Sequence, residues 1–340
     1  GGHVSRNPEN VLAIASDLLA LMDAMTQRDL IVPVAIRRAL DRMMPMIRFM
    51  QHEDGRLALF NGGTESTDGW PHALLTYDSG RNKASLAQAC GYSRIACAKT
   101  LLIADTGLPP SGLLSTGAHA GCLSFELGAG AERIIVNCGA SLLKGAHWTQ
   151  AMRATAAHSA LSIADTSSAH IVVEPWAAHL LGPRLVDGPT RVEAKRRESE
   201  DGIHLEASHD GYLASFGLIH ERRWFVSHDG SDVRGEDRLV PNEEVATSRP
   251  FAIRFHLHPS IKAMRLPDAR AIVLTLPGGA TWRFGSDGAL DVADSVYLGA
   301  GDAIRKTQQI VLHGMTAAEP VSVKWALKRV TGAAADPLVN

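Results

Sequence analysis

Two hydrophobic periods divide the chain. From about residue 8 to 52, apolar residues recur at three- and four-residue steps: Val11, Ile14, Leu18, Leu21, Met22 and Met25, then Ile36, Leu40, Met43, Ile47 and Met50. That spacing predicts two helices, each with an apolar stripe. Asn7 followed by Pro8 predicts the first helix start, because the asparagine can cap it and proline has no N–H to leave unpaired there. Pro45 is predicted to kink or split the second helix. A short third helix is predicted near 70–77. Stripes this apolar need partners, so further helices are expected upstream.

From about residue 91 the texture changes to short β-prone runs, at 94–104, 122–127, 133–138, 160–164, 170–173, 251–258, 271–276 and 309–313. Asp-Gly pairs recur at 187–188, 201–202, 210–211, 229–230 and 287–288. Asp-Gly between short strands is a hairpin signal. Many short strands at this spacing predict an antiparallel β-sandwich reaching about residue 328, with a frayed tail over 331–340.

Composition narrows the class. The chain has 340 residues, a net charge of −2, 45% hydrophobic and 21% charged residues. These are values of a globular chain, and they argue against a surface built wholly for nucleic acid. No apolar run approaches the ~18–20 residues that span a bilayer. Four cysteines are too few for a disulfide scaffold. The Gly-Gly-His opening shows no signal peptide, and a fragment or processed chain with its true start upstream is expected.

Phosphate-binding, dinucleotide-binding, nucleophile-elbow and zincin motifs are all missing. What stands out is fifteen histidines. Two sit among small residues, in Gly117-Ala-His119-Ala-Gly-Cys-Leu-Ser-Phe-Glu126 and Arg153-Ala-Thr-Ala-Ala-His158. Small neighbours leave an imidazole uncrowded, as a ligand or proton-transfer group requires; a satisfied strand histidine is the plainer alternative. Centring a hairpin near Gly130 places Cys122 opposite Cys138 and Leu123 opposite Asn137. If the strand reaches back to His119, alternation puts His119 and Asn137 on one face. The two cysteines are then cross-strand neighbours, bridged or free. His256 and His258 share a strand face, as a metal pair or as ordinary strand histidines. The charged run 191–200 reads as a solvated strand and loop. Its arginines, or those of His220-Glu-Arg-Arg223, could meet an anionic ligand or pair with surface carboxylates.

Taken together, the segments around His119 and His158, with Ile135-Val-Asn-Cys-Gly139 between them, resemble the heparinase II/III-like family of polysaccharide lyases. Gly1-Gly-His3-Val-Ser-Arg6-Asn-Pro8 resembles that family's Asp-Gly-x-His-x-Glu-x-Ser-Pro segment. The resemblance implies the last helices of an incomplete α/α toroid over 1–85, an antiparallel β-sandwich over 86–330 and a tail over 331–340. It implies β-elimination on uronate-containing acidic polysaccharides, with a base for the α-proton, a group neutralising the carboxylate and an acid for the leaving oxygen. By the same resemblance His119, His3 and Arg6 fall at catalytic positions. Asn10 stands where the family has its catalytic Tyr, and Val11 where a His follows. The family's metal ligands match His119, Asn137 (usually Asp) and His158, a zinc set weakened by the uncharged amide. A cell-envelope or periplasmic setting is implied too. The alternatives are a catalytically altered acidic-glycan-binding or envelope protein on the same fold, or another reaction class on this scaffold.

Overall fold

The structure is a computed structural model. It describes all residues except 68, 78–85, 88–89, 141–144, 243–246, 267–270, 302 and 331–340, with backbone alone at 86–87, 146 and 175. The tail expected to fray lies outside the described residues.

Helix α1 spans Pro8–Thr26, α2 Val34–Met50 and α3 Trp70–Leu75. Asn7 caps α1 as anticipated, its Oδ1 accepting from the Glu9 N–H at 2.8 Å. The buried face of α1 is Val11, Leu12, Ala15 and Leu19, whereas Leu21, in the expected stripe, is exposed. Only one side of the apolar arc packs on the other helices and the sheet. Pro45 does not split α2. Met44, Met46, Ile47, Phe49 and Met50 are all buried around it, and this outweighs the ~3 kcal/mol that an interior proline costs. Residues 51–67, within the stretch expected to be toroid helices, form an irregular connection in which Leu57–Phe60 run buried toward the sandwich.

Two large antiparallel sheets follow, one of nine strands and one of eight. They share one core, in which Leu102, Phe125, Leu127 and Phe255 of the first sheet meet Leu205, Trp224, Trp325 and Leu327 of the second. The strand Thr100–Asp105 is buried on both faces. Leu102 and Ala104 point into the sandwich, while Leu101 and Ile103 join the helical cluster. The order is thus helices, first sheet, core, second sheet. A strand covered on both sides must read as a continuous apolar run. The second sheet has no such cover, and Leu218–Ser227 alternates buried and accessible positions.

Of the five Asp-Gly pairs, those at 201–202 and 229–230 close hairpins of the second sheet. The pair at 210–211 sits in a bulge of Gly202–Tyr212. The other two lie in connections that lead from one sheet to another. Asp-Gly supplies a turn; whether the next strand pairs back depends on where the core draws it. The run at 94–104 is itself a hairpin, turning at Ala98–Lys99.

The expected register around Gly130 is wrong. Ala129 opposes Glu132, but a bulge then sets Leu127 opposite Ile135. The strand begins only at Phe125, because the chain turns at Leu123, which has a φ of 59°. Cys122 and Cys138 consequently have separate surroundings: Cys122 Sγ lies 3.9 Å from Gly107 O, and Cys138 Sγ 3.4 Å from His256 Nδ1. Both are buried free thiols. Burial raises both, Cys138 to about 12.

Candidate functional site

His119 and His158 meet at the helix-facing side of the sandwich. His119 Nδ1 lies 3.0 Å from His158 Nε2, the rings edge to face with centroids 5.1 Å apart. The partners of the outer nitrogens assign the protons. His158 Nδ1 is 2.8 Å from Ala154 O, so it carries a proton and donates. A neutral His158 then accepts at Nε2, and His119 Nδ1 donates to it. This leaves a lone pair on His119 Nε2, which makes no hydrogen bond among the described residues. Burial is the main cause that lowers both histidines, His119 well below its ordinary value and His158 to about 4. For His119, His158 and Arg153 add to the effect. Near pH 7 the pair is neutral and directional.

The small residues around these histidines have a geometric role. A Cβ at Gly121 would come within 2.8 Å of His158 Cδ2. The segment carrying His119 has no strand ladder, so side chains hold it. Arg153 donates to Ser115 O at 2.9 Å, to Ala118 O at 2.7 Å and to Pro183 O. Thr155 Oγ1 donates to Ala120 O at 2.6 Å. The Asn61 side-chain oxygen accepts from His119 N at 3.2 Å.

The N-terminal segment passes beside this pair. A Cβ on Gly62 would be 3.5 Å from His119 Nε2 and 3.8 Å from Asn7 Nδ2. Gly62, with φ of +83°, thus lies beside both the free imidazole nitrogen and the Asn7 amide, whose Nδ2 makes no hydrogen bond among the described residues. Sequence reasoning assigned Asn7 only to capping, although it lies in the segment that resembles the family motif, and missed Asn61, which no motif marks. Arg6 is a clamp: it pairs with Asp105 at 2.5 Å and donates to Cys90 O, Gly91 O and Gly107 O. Its guanidinium is spent holding the segment to the sheet. His3 and Asn10 both bond Ser5 Oγ, at 2.7 and 2.8 Å. They form a cluster of their own, and no bond joins it to His119.

Asn137 does not complete a metal set. Its Nδ2 donates to Leu59 O at 3.0 Å and its Oδ1 accepts from Ser159 N at 3.1 Å. Both ends of the amide tie the helical connection to the sandwich. Beside it Glu126, fully buried, accepts from Leu59 N, Asn137 N and His52 Nε2. Among the described residues no three His, Cys, Asp or Glu side chains cluster as metal ligands. Two imidazoles bonded to each other, with a saturated neutral amide nearby, do not fit zinc. His256 and His258 also part company: His256 bonds Ala156 O and Ser295, and His258 faces Glu65.

Behind the pair lies a buried ionic network. Asp237 accepts from Arg222 Nε at 2.6 Å, His220 Nε2 at 2.8 Å and Trp325 Nε1 at 3.0 Å. Arg222 Nη1 continues to Leu123 O and Ser159 O, 2.9 and 2.7 Å away. These carbonyls flank the turn at Leu123 and the chain just after His158. Burial alone would raise the Asp237 carboxyl, but Arg222 and His220 pull it down to about 2. Alternation within His220–Arg223 marks Arg222 as inward, a sign visible in the sequence only once the strand is assigned.

Residues 79–326 match a family described as Heparinase II/III-like, C-terminal. FtsZ-localized protein C of Caulobacter vibrioides is 36% identical, over 98% of this chain and 58% of that protein. Heparan sulfate lyase HepC of Pedobacter heparinus superposes with a TM-score of 0.72 at 12% identity, over 97% of this chain and 53% of that one. Heparinase III gives 0.73 at 15%, over 98% and 55%. The chain therefore spans little more than half the length of these relatives. At such identities the structural likeness shows a shared fold.

Proposed function

We propose, because this chain belongs to the heparinase II/III-like family, that it acts as a polysaccharide lyase on uronate-containing acidic polysaccharide. On this reading α1 and α2 are toroid helices, and the polymer lies between them and the sandwich. The observation that carries it is the oriented imidazole pair, with the His119 Nε2 lone pair open beside Gly62.

The chemistry runs as a β-elimination. His119 Nε2 takes the proton α to the uronate carboxylate. The Asn7 Nδ2 amide, also beside Gly62, donates to that carboxylate and eases the enolate charge. The carbon–oxygen bond to the leaving sugar breaks as the double bond forms, and the His119 imidazolium returns a proton to the departing oxygen. His158 holds the His119 tautomer through the Nδ1 bond. On the same reading the protein works in the cell envelope or periplasm.

A second reading is favoured by Asn10, an amide without a transferable proton, held by Ser5: an envelope protein that binds acidic glycan without cutting it. The test is the ultraviolet absorbance of the unsaturated product during incubation with uronate polymers. A rise with the native chain, lost in His119→Ala and reduced in Asn7→Ala, is the expected result. Equal turnover in His119→Ala would refute the assignment, and binding without any rise would favour the second reading.

A further inference from the structure

The second sheet turns a face to solvent that the His119 site does not use. A groove of about 470 Å³ runs across its middle strands. Cross-strand pairing arranges this face in two rows, which Arg197 and Lys195 extend past the groove into an adjoining hollow. One is Arg197, His204, Phe225, Arg234, Ala326 and Gly285, each opposite the next. The neighbouring row is Lys195, Glu206, Arg223, Glu236 and Lys324. At ~4.8 Å between strands, the first row is roughly 24 Å long.

The first row is a trough. Ala326 and Gly285 present almost no side chain, so the Phe225 ring stands at the edge of an open floor. Arg234 lies over that ring at 5.6 Å and His204 against it at 4.8 Å. Across the two rows five cations, Lys195, Arg197, Arg223, Arg234 and Lys324, face three carboxylates, Glu206, Glu236 and Asp287, with Arg223 paired to Glu236 and Arg234 to Asp232, although the whole chain carries −2. Asp287, at the far end, is bonded to Lys324 N. Lys195, Arg197 and Lys324 make no ion pair among the described residues, so three cations remain open to a ligand.

We infer that this groove is a second glycan-binding site, which holds an acidic oligosaccharide across the strands at a place remote from the elimination chemistry. The charge excess suits a polymer bearing carboxylates or sulfates. The aromatic face suits the C–H face of a sugar ring. Glu206 and Glu236 would repel a dense phosphate backbone, but they accept hydrogen bonds from hydroxyls, which favours a sugar polymer over a nucleic acid. The arrangement follows from the strand register and does not depend on turnover at His119.

Binding to the 340-residue chain is measured by calorimetry with a heparin octasaccharide, an oligogalacturonate, a neutral cello-oligosaccharide and a ten-residue oligothymidylate. To keep the chemistry out of the measurement, His119→Ala is the reference protein. Saturable, salt-sensitive binding of one or both acidic oligosaccharides is expected, weakened about tenfold by Lys324→Glu and about five- to tenfold by Phe225→Ala. Lys324 is exposed and its side chain makes no bond among the described residues, so that variant reports on binding even if Phe225→Ala folds poorly. Sulfated and carboxylated probes distinguish which anion the cations read. Affinity unchanged by Lys324→Glu overturns the site. So does binding of the neutral oligosaccharide or the oligothymidylate as tight as that of the acidic sugars, or failure of both acidic sugars to bind. Failure of the lyase assay leaves these outcomes intact.

Discussion

His119 and His158 owe their properties to each other. A lone buried imidazole would find a donor or acceptor anywhere; this pair has its tautomers set by a single carbonyl, Ala154 O. Ring-resonance titration should find both neutral at pH 6, with His158 taking its proton near pH 4. A midpoint at the ordinary imidazole value would show that burial does not set the protonation of the pair. Asn137 is the other informative residue. Asn137→Asp replaces the donor to Leu59 O with a carboxylate oxygen in a buried site. A loss of about 1–3 kcal/mol in urea unfolding is expected, and added zinc should not restore it. Recovery with zinc would mean that the carboxylate turns toward the histidines and that a metal site is one substitution away.

At the scale of elements, the second sheet carries two devices that alternation alone does not explain. Arg222 and Asp237 face inward, where apolar residues would be expected, and Arg222 spans the core to Leu123 O and Ser159 O. Arg222→Met strands Asp237 without its strongest partner and frees both carbonyls. A destabilisation of about 3–5 kcal/mol is expected; a loss under 1 kcal/mol would show the network to be dispensable. Gly235 lies opposite both Trp224 and Trp325. A Cβ there would be 2.1 Å from Trp325 Cζ2, and that indole is packed against Phe125 and Phe255. Gly235→Ala should cost about 1–3 kcal/mol by overpacking, visible as a lower thermal midpoint.

For the whole molecule, buried histidines set the response to acid. His52, His119, His158, His209, His220 and His256 are all lowered, with burial the leading cause. In each, the unfolded chain binds a proton more readily than the folded one. Stability is therefore intact above about pH 6.5, falls as pH drops below it, and for His158 keeps falling to about pH 4. His158 alone should account for about 2 kcal/mol at pH 5. Asp237, held near 2, and Asp54, also lowered, add losses below pH 4. Asp105, raised by burial, acts in the opposite sense. Denaturant midpoints should hold from pH 7.5 to about 6.5 and decline from there to pH 5; a flat profile would contradict the burial of this set.

Local chemistry, read from the sequence, determined the helical start at Asn7-Pro8, the change from a helical period to short strands, the antiparallel sandwich and the small-residue settings of His119 and His158. Each depends on neighbours within a few positions: a cap, a period, a turn residue. Tertiary structure decided the rest. The bulge between Leu127 and Ile135 and the turn at Leu123 reset the register on which the Cys122–Cys138 pairing relied. Contacts with Ser159 and Leu59 took up the Asn137 amide, and Asp105 took up Arg6. The approach of His119 to His158, Asn61 and Asn7 joins four segments that no periodicity links. Pairing of Phe225 with Arg234 and His204 likewise appears only when three strands are placed in order, because a groove belongs to the sheet and to no single strand.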